Sequence, residues 1–475
     1  MANFTDPTPP TRGIFTNRTL NLRSIRAIGY DMDYTLVHYR TDEWEHRAYE
    51  HSRGKLLALG LPLEQLEFDP GLVMRGLIID AELGNIVKAD RFGYVKQAFH
   101  GTSQLDFDAQ RAIYSRTIVD LAESRWHFMN TLFSISEGCL YAQLVDLLDA
   151  DRLPSGLGYL ELYRLVRSTL DEAHFEGQLK AEIIADPDRF VVLDPEVPLA
   201  LLDQKEAGRK LLLISNSEWA FSKAILSYAF DRYLNGNRWE KLFDLVIVEA
   251  KKPTFFTGQN PIFEIVNDEG LLRPVVGRIE EGKKYLGGHA AQVEKCLGVS
   301  GDEILYVGDH IYGDVHVSKS VLRWRTALIL RELEDDIAAT EAARPTLRLL
   351  EAKMAEKEEL ERKLCGLRLA LQRTTRRYGP QPSIASDVLE EEASQTKRAI
   401  AQLDDSIKPL ARDAGTLNND RWGLLMRTGN DKSHLARQVE RHADIYTSRV
   451  SNFLYATPFG YLRSLRGSLP HDRGA

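Results

Sequence analysis

The sequence predicts an α/β protein: a doubly wound parallel-sheet core with a mainly helical cap insertion and a long helical-hairpin extension toward the C-terminus. Three observations carry this expectation. Short apolar runs alternate with helical stretches across residues 189–332, polar groups stand at the ends of those runs, and near residue 332 the composition shifts to long charged helices. At 475 residues the chain is too long for one ordinary domain. Its 43% hydrophobic and 27% charged residues are ordinary for a globular protein. With 61 Lys+Arg against 69 Asp+Glu, the net charge of −8 offers no broad basic surface, so no nucleic-acid partner is expected. Cys139, Cys296 and Cys365 are too scattered for a metal pair or a disulfide ladder, which fits a reducing, cytoplasmic setting. No apolar run is long enough to cross a bilayer and the opening lacks a signal-peptide core, so no membrane partner is expected either.

Taken in order, residues 1–20 are Pro/Thr-rich and read as a flexible arm. The first part of the core spans 21–104: "IRAIGYDMD" is a buried strand ending in a turn, and a hairpin is expected around Gly84-Asn85. Residues 105–188 read as the helical cap, with "YLELYRLVRSTLDEAHFEGQLKAEI" its longest helical stretch. The core resumes over 189–332 through "RFVVLD", "GRKLLLISNSE", "FDLVIVEAKKP", "DEILYVGDHIYGD" and "WRTALIL". In 333–415, Leu389, Ala393, Thr396, Ile400, Leu403, Ile407 and Leu410 step by alternating four and three, a coiled-coil-like seam cut by Pro409. Leu360, Leu364, Leu367 and Leu371 form a matching seam before the turn "YGPQPS"; this hairpin is the expected oligomer contact. Residues 416–475 read as helices packing back on the core.

Four polar groups stand at core strand ends: Asp31-x-Asp33-x-Thr35, Ser215-Asn216-Ser217, Lys252, and Asp309 with Asp314. A parallel sheet gathers its carboxyl ends along one edge, so these groups can converge from distant parts of the chain. Singly each has a bland reading, since D-x-D is usually a turn or cap and Ser-Asn-Ser an N-cap. Together they describe a phosphoryl site. Crowded carboxylates call for a hard cation such as Mg²⁺. A hydroxyl, an amide and a lysine suit phosphoryl oxygens, one carboxylate can attack phosphorus, and a second can act as acid and base.

The motifs D-x-D-x-T-L, a strand-end S-N-S, a lysine and G-D-x-x-x-x-D in this order resemble the haloacid-dehalogenase phosphohydrolases with their Rossmann-like core. "GYDMDYTLVHY", "FDLVIVEAKKPTFF", "ILYVGDHIYGD" and "YATPFGYLRSLRGSLPHD" are similar to the cytosolic purine 5′-nucleotidases of the IMP/GMP-preferring type. The resemblance covers most of 20–330 and 420–472. It implies a Mg²⁺-dependent 5′-nucleotidase working through an aspartyl-phosphate, able also to pass the phosphate to a nucleoside; the helical seams of 333–415 add the expectation of a homo-oligomer, a dimer or tetramer.

Residue by residue, the resemblance casts Asp31 as nucleophile and metal ligand, and Asp33 as acid/base whose backbone carbonyl reaches the metal. Asp309 becomes the metal-binding acid and Asp314 a supporting carboxylate. Ser215, Asn216, Ser217 and Lys252 would hold phosphate, with Lys252 also counted catalytic. In the cap, "RSTLDEAHFEGQLK" is similar to the family's base-recognition helix, which would place Arg167, Asp171, His174 and Lys180 toward a purine, with Phe133 stacking on it. Arg167, Asp171 and His174 share a helical face at spacings of four and three. Two rivals remain: a phosphatase for another small ester, and a catalytically silent oligomeric scaffold.

Overall fold

The computed structural model describes residues 8–175 and 177–465, with the side chains of 173–175 excepted. The chain divides into two compact units, one comprising the described residues up to Glu334 together with those from Leu425 onward, the other Asp335–Leu424.

The first unit is built on a ten-stranded sheet. Seven of its strands run parallel and are labelled in chain order: β1 (Ala27–Tyr30), β2 (Lys210–Ile214), β3 (Leu245–Val248), β4 (Lys283–Gly287), β5 (Ile304–Gly308), β6 (Arg325–Ile329) and β7 (Ile445–Thr447). They lie side by side as β7-β6-β5-β1-β2-β3-β4, so the order runs outward in both directions from β1. Antiparallel strands close the two edges, Phe15–Thr16 beside β7, and Ile262–Ile265 with Leu272–Pro274 beside β4. The central strands are continuous buried runs such as "AIGY", "LVIV" and "ILYVG", as expected of a parallel sheet covered on both faces.

Several expected boundaries move. Within the expected arm of residues 1–20, Phe15–Thr16 and Leu20 lie in strands: Phe15 pairs with Tyr446 and Leu20 with Leu462, while Arg12 reaches Glu196 at 2.6 Å. Backbone pairing and a partly exposed ion pair tie the segment down despite its composition. From residue 105 on the chain is mainly helical, with Phe107–Tyr114 the first helix there, but the insertion between β1 and β2 starts well before that point. It begins with the helix Thr41–Ala58 and holds a five-stranded antiparallel sheet formed by Ile78–Asp80, Asn85–Ala89, Val95–His100, Ser103–Gln104 and Trp126–Phe128. The helices Ile135–Asp149, Tyr159–Phe175 and Gln178–Ala185 follow it. The hairpin expected at Gly84-Asn85 is the first turn of that sheet, with Asp80 opposite Asn85. The C-terminal part supplies more than helices, since β7 joins the main sheet beside β6.

In the second unit, helices Arg344–Arg376 and Ser386–Gly415 form the expected hairpin. Leu364 on one meets a seam of Leu389, Ala393, Thr396, Leu403 and Ile407 buried on the other, and Lys357 bonds Asp404 across it at 2.5 Å. Pro409 does not cut the helix, which runs on to Gly415. Pro409 and Asp405 are both exposed, so water can serve the carbonyl that lacks its helical donor.

Leu212 is fully buried at the middle of β2, packed in the cluster of Ala27, Ile214, Leu245 and Ile247. Leu212→Ala is expected to destabilise the first unit by about 2–5 kcal/mol, read as a lowered urea midpoint.

Candidate active site

The chain reverses immediately after β1. The amides of Thr35, Leu36 and Val37 all donate to the carbonyl of Met32 at 2.9–3.3 Å, and Tyr34 takes the left-handed region at φ +51°. This tight turn leaves Asp31 and Asp33 at the carboxyl end of the strand from which the sheet order diverges, the usual ligand position of an open α/β sheet. The Asp31 amide donates to Val307 at 2.9 Å, tying the turn to β5.

Lys252, four residues past β3, reaches into the same place. Its Nζ lies 2.7 Å from Asp31 Oδ1 and 2.7 Å from Asp314 Oδ1, and donates to the Tyr306 hydroxyl at 3.2 Å. Tyr306 in turn donates to the Ile214 carbonyl at 3.1 Å. Two glycines make room for this arrangement. A Cβ on Gly29 would stand 2.8 Å from the Tyr306 ring, and one on Gly308 only 2.5 Å from Asp314 Oδ2. The second Asp314 oxygen accepts from the His310 amide at 3.1 Å, within the π-helical turn Ile311–His316.

The Ser-Asn-Ser segment locks the neighbouring loops. The Lys252 amide donates to Asn216 Oδ1 at 2.7 Å and Asn216 Nδ2 returns a bond to the Lys252 carbonyl at 3.1 Å. Ser215 Oγ accepts from the Ser217 amide at 3.0 Å. The Ser217 hydroxyl donates to Asp33 Oδ2 at 2.7 Å, and the Tyr39 hydroxyl to Asp33 Oδ1 at 2.5 Å.

Three buried carboxylates, Asp31, Asp309 and Asp314, present oxygens within 4.8 Å of one another. Asp33, expected to reach the metal only through its backbone carbonyl, keeps its carboxylate outside this set on Ser217 and Tyr39, while Asp314, expected only in support, stands inside it. Burial and the neighbouring acids Asp314, Asp309 and Asp33 push Asp31 well above the usual carboxylate range, with Lys252 opposing them. Burial carries Asp309 up to about 7, opposed first by Arg75. Burial works against the charge of Lys252, yet Asp31 and Asp314 hold its pKa well above the ordinary value, so it remains an ammonium. A cluster so short of positive charge, with only hard oxygen donors, fits a small divalent cation of the Mg²⁺ class.

The expected base-contacting residues divide. Arg167 lines a cavity of about 140 Å³ with Asn130, Thr131, Glu137, Tyr163 and His310, next to Asp309. It is held by Glu137 at 2.9 Å and Asp171 at 3.3 Å, and Asp171 is 62% exposed. Phe133 packs edge-on to Tyr34 at 4.7 Å and Trp44 at 5.3 Å, behind the Asp31 turn. Lys180 stands apart, bonded to Glu218 at 2.8 Å and lying over the Phe221 ring. The side chain of His174 lies outside the described residues. A larger cavity of about 690 Å³ shares Asn130 and is lined by Tyr312, His316, Gln438 and Arg441.

The sequence model of the 5′ nucleotidase family matches residues 14–474. The chain belongs to the 5′ nucleotidase family. A 5′-nucleotidase domain-containing protein of Dictyostelium discoideum is 26% identical over 477 residues, spanning 98% of this chain and 76% of that protein. Similar solved structures include CbbY from Rhodobacter sphaeroides in complex with phosphate, 14% identical with a TM-score of 0.24 over 64% of this chain and 86% of that one. Another is an archaeal β-phosphoglucomutase from Pyrococcus sp. strain ST 04, 12% identical with a TM-score of 0.26 over 64% of this chain and 87% of that one. As a member of the 5′ nucleotidase family this protein is a phosphohydrolase of nucleotides.

Beside the motif residues this 5′ nucleotidase family member places groups that the motifs do not reveal. Thr131 donates to Asp309 Oδ2 at 3.1 Å, and Arg75 donates to the Asp309 backbone carbonyl. A lone arginine in the apolar run "VMRGLIID" was the available signal, because a charge there needs buried partners. Glu45, fully buried on the Thr41–Ala58 helix, accepts from the Ser136 amide at 2.8 Å at the start of the helix after Phe133. Burial pushes its pKa up to about 7 against that hydrogen bond.

Two outcomes are expected. Gly308→Ala drives a methyl into the Asp314 carboxylate and should cost about 1–3 kcal/mol, with phosphate release falling in parallel. Glu45 is stabilising in its protonated form, so its contribution is full below about pH 4.5 and fades as pH rises through about 7. Glu45→Gln should therefore gain on the parent by about 2–3 kcal/mol between pH 5 and 8, measured by urea unfolding at each pH.

Proposed function

We propose that this protein is a Mg²⁺-dependent 5′-nucleotidase for purine nucleoside 5′-monophosphates of the IMP/GMP type, acting through an aspartyl-phosphate and able to pass the phosphate to a nucleoside. The observation that carries the reading is the meeting of Asp31, Lys252 and Asp309 beside a cavity lined by Arg167. Asp31 attacks phosphorus while Lys252 neutralises charge on the transferring group. Asp33, aligned by Ser217 and Tyr39, gives a proton to the leaving alkoxide and later takes one from water. Asp31, Asp309 and the backbone carbonyl of Asp33 would hold the metal, with Asp314 keeping Lys252 and the Asp309 loop in place. When bound, Mg²⁺ supplies Lewis-acid charge at the phosphoryl oxygens. Asn216, and Ser215 through its loop, present the phosphate cradle.

The Arg167 guanidinium, steadied by Glu137 and Asp171, suits the O6 acceptor of hypoxanthine or guanine. The setting is cytoplasmic, with neither nucleic acid nor membrane as partner, and the protein forms a homo-oligomer, a dimer or tetramer, through the charged hairpin. No helix among the described residues is long and apolar enough to cross a membrane.

Purified protein should release phosphate from IMP or GMP only when Mg²⁺ is present, and Asp31→Asn should lower the rate on the order of 10³-fold or more. Arg167→Ala should depress turnover of the nucleotide while sparing p-nitrophenyl phosphate. Turnover of sugar phosphates with IMP and GMP left intact would refute the nucleotide reading.

A further inference from the structure

The Arg75 side chain is 1% exposed and spends its donors on three separate segments. Its Nε donates to the Asn130 carbonyl at 3.0 Å, one terminal nitrogen to the Ile329 carbonyl at 3.4 Å, and the other to the Asp309 carbonyl. Glu332 lies 3.7 Å away and balances the charge. Ile329 ends β6 and Asp309 follows β5, so both core acceptors sit on the carboxyl edge that carries the acid cluster. Asn130 belongs to the insertion, immediately before the threonine that bonds Asp309 Oδ2.

These contacts close a ring. Arg75 holds Asn130; Asn130 is joined covalently to Thr131; Thr131 holds the Asp309 carboxylate; and the Asp309 backbone returns to Arg75. The ladder of the cap sheet delivers both sides of it. Ile78 pairs with Phe128, the Met129 amide donates to the Leu77 carbonyl at 2.9 Å, and the Gly76 amide donates to the Met129 carbonyl at 2.7 Å. Arg75 and Asn130 therefore emerge next to each other where this ladder meets the core.

We infer that Arg75 is a positioning residue for the metal-binding acid, its planar fork fixing the Asp309 loop and registering Thr131 of the cap upon it. A point charge would not do this, because the bonds run in three directions from one rigid plane. Losing a group that orients a metal ligand typically costs about 10–100-fold in metal affinity. The inference rests on the Mg²⁺-dependent reading above. It adds that the cap's own backbone, through Arg75, is part of the cation site, although neither Arg75 nor Thr131 touches the reacting atoms.

The two roles open to a buried arginine here predict opposite signs. Were Arg75 only a counter-charge to the acids, removing it would tighten cation binding and Arg75→Lys would change nothing. As a positioning fork, both Arg75→Met and Arg75→Lys weaken it. Mg²⁺ binding is read by isothermal titration calorimetry without substrate, on the full chain and on Arg75→Lys, Arg75→Met and Thr131→Val. Both arginine variants should show a dissociation constant raised about tenfold or more. Thr131→Val, which retains the arginine and stands in should Arg75 variants not fold, should show a smaller rise in the same direction. In phosphate release kcat should drop more than KM rises.

Unchanged Mg²⁺ affinity in Arg75→Lys, or tighter binding in Arg75→Met, overturns the inference while leaving the nucleotidase reading standing. If Arg75 variants do not fold, unchanged affinity in Thr131→Val overturns it. A parent protein that binds no Mg²⁺ overturns both, and differs from the former cases because the parent itself fails.

Discussion

One buried ammonium shared between two carboxylates organises the carboxyl edge of this sheet. Lys252 meets Asp31 and Asp314 at equal distances of 2.7 Å, and these residues follow three different strands. Charges brought out of water are costly unless they meet in good geometry, so the loops after β1, β3 and β5 must end in one place. The two bonds of the Asn216 side-chain amide to the Lys252 backbone and the small residues Gly29 and Gly308 serve that demand. The acids still outnumber the base, and that residual negative charge suits a divalent cation.

The insertion meets this edge through side chains as well as through covalent linkers. Its antiparallel sheet is rigidified by a buried chain in which Asp80 accepts from Arg125 at 2.6–2.7 Å and from Tyr114 at 2.7 Å, while His100 bonds Asn85 at 2.7 Å. A stiff cap places Thr131 against Asp309, and Arg167 lines the cavity beside it. The neutral state of His310, whose pKa burial lowers to about 4, lets its Nδ1 accept the Gly313 amide at 2.7 Å and shape the turn bearing Asp314.

What the sequence displayed was the part written locally. Apolar runs ending in acids, a lysine or Ser-Asn-Ser specify strand and strand end together, and the sheet then brings Asp31, Lys252 and Asp309 to one rim. Of the five-stranded cap sheet only the hairpin at Gly84-Asn85 was legible, because Asn85–Ala89 is buried throughout with Asn85 and Lys88 inside, so polar and apolar residues do not alternate as an exposed strand's would. The partners that satisfy Asp80 and Asn85 lie far along the chain. The same holds for Asp33, whose carboxylate is claimed by Ser217, and for Lys180, drawn to Glu218 by a charge the helical spacing does not show. Pro409 was a sound breaker signal, overridden because its side of the helix faces water.

The outermost rows of the main sheet also say something about the order of assembly. Phe15–Thr16 finds its ladder partner only in Ile445–Thr447, which itself leans on Arg325–Ile329. During synthesis the early segment must wait, unzipped, for nearly everything after it to leave the ribosome. Until then the flank of Arg325–Ile329 is bare, the kind of open strand that recruits chaperones or sticks to a neighbour. A nascent chain stalled short of Ile445 would carry its nucleotide-handling rim almost whole and yet remain a marked, unfinished object.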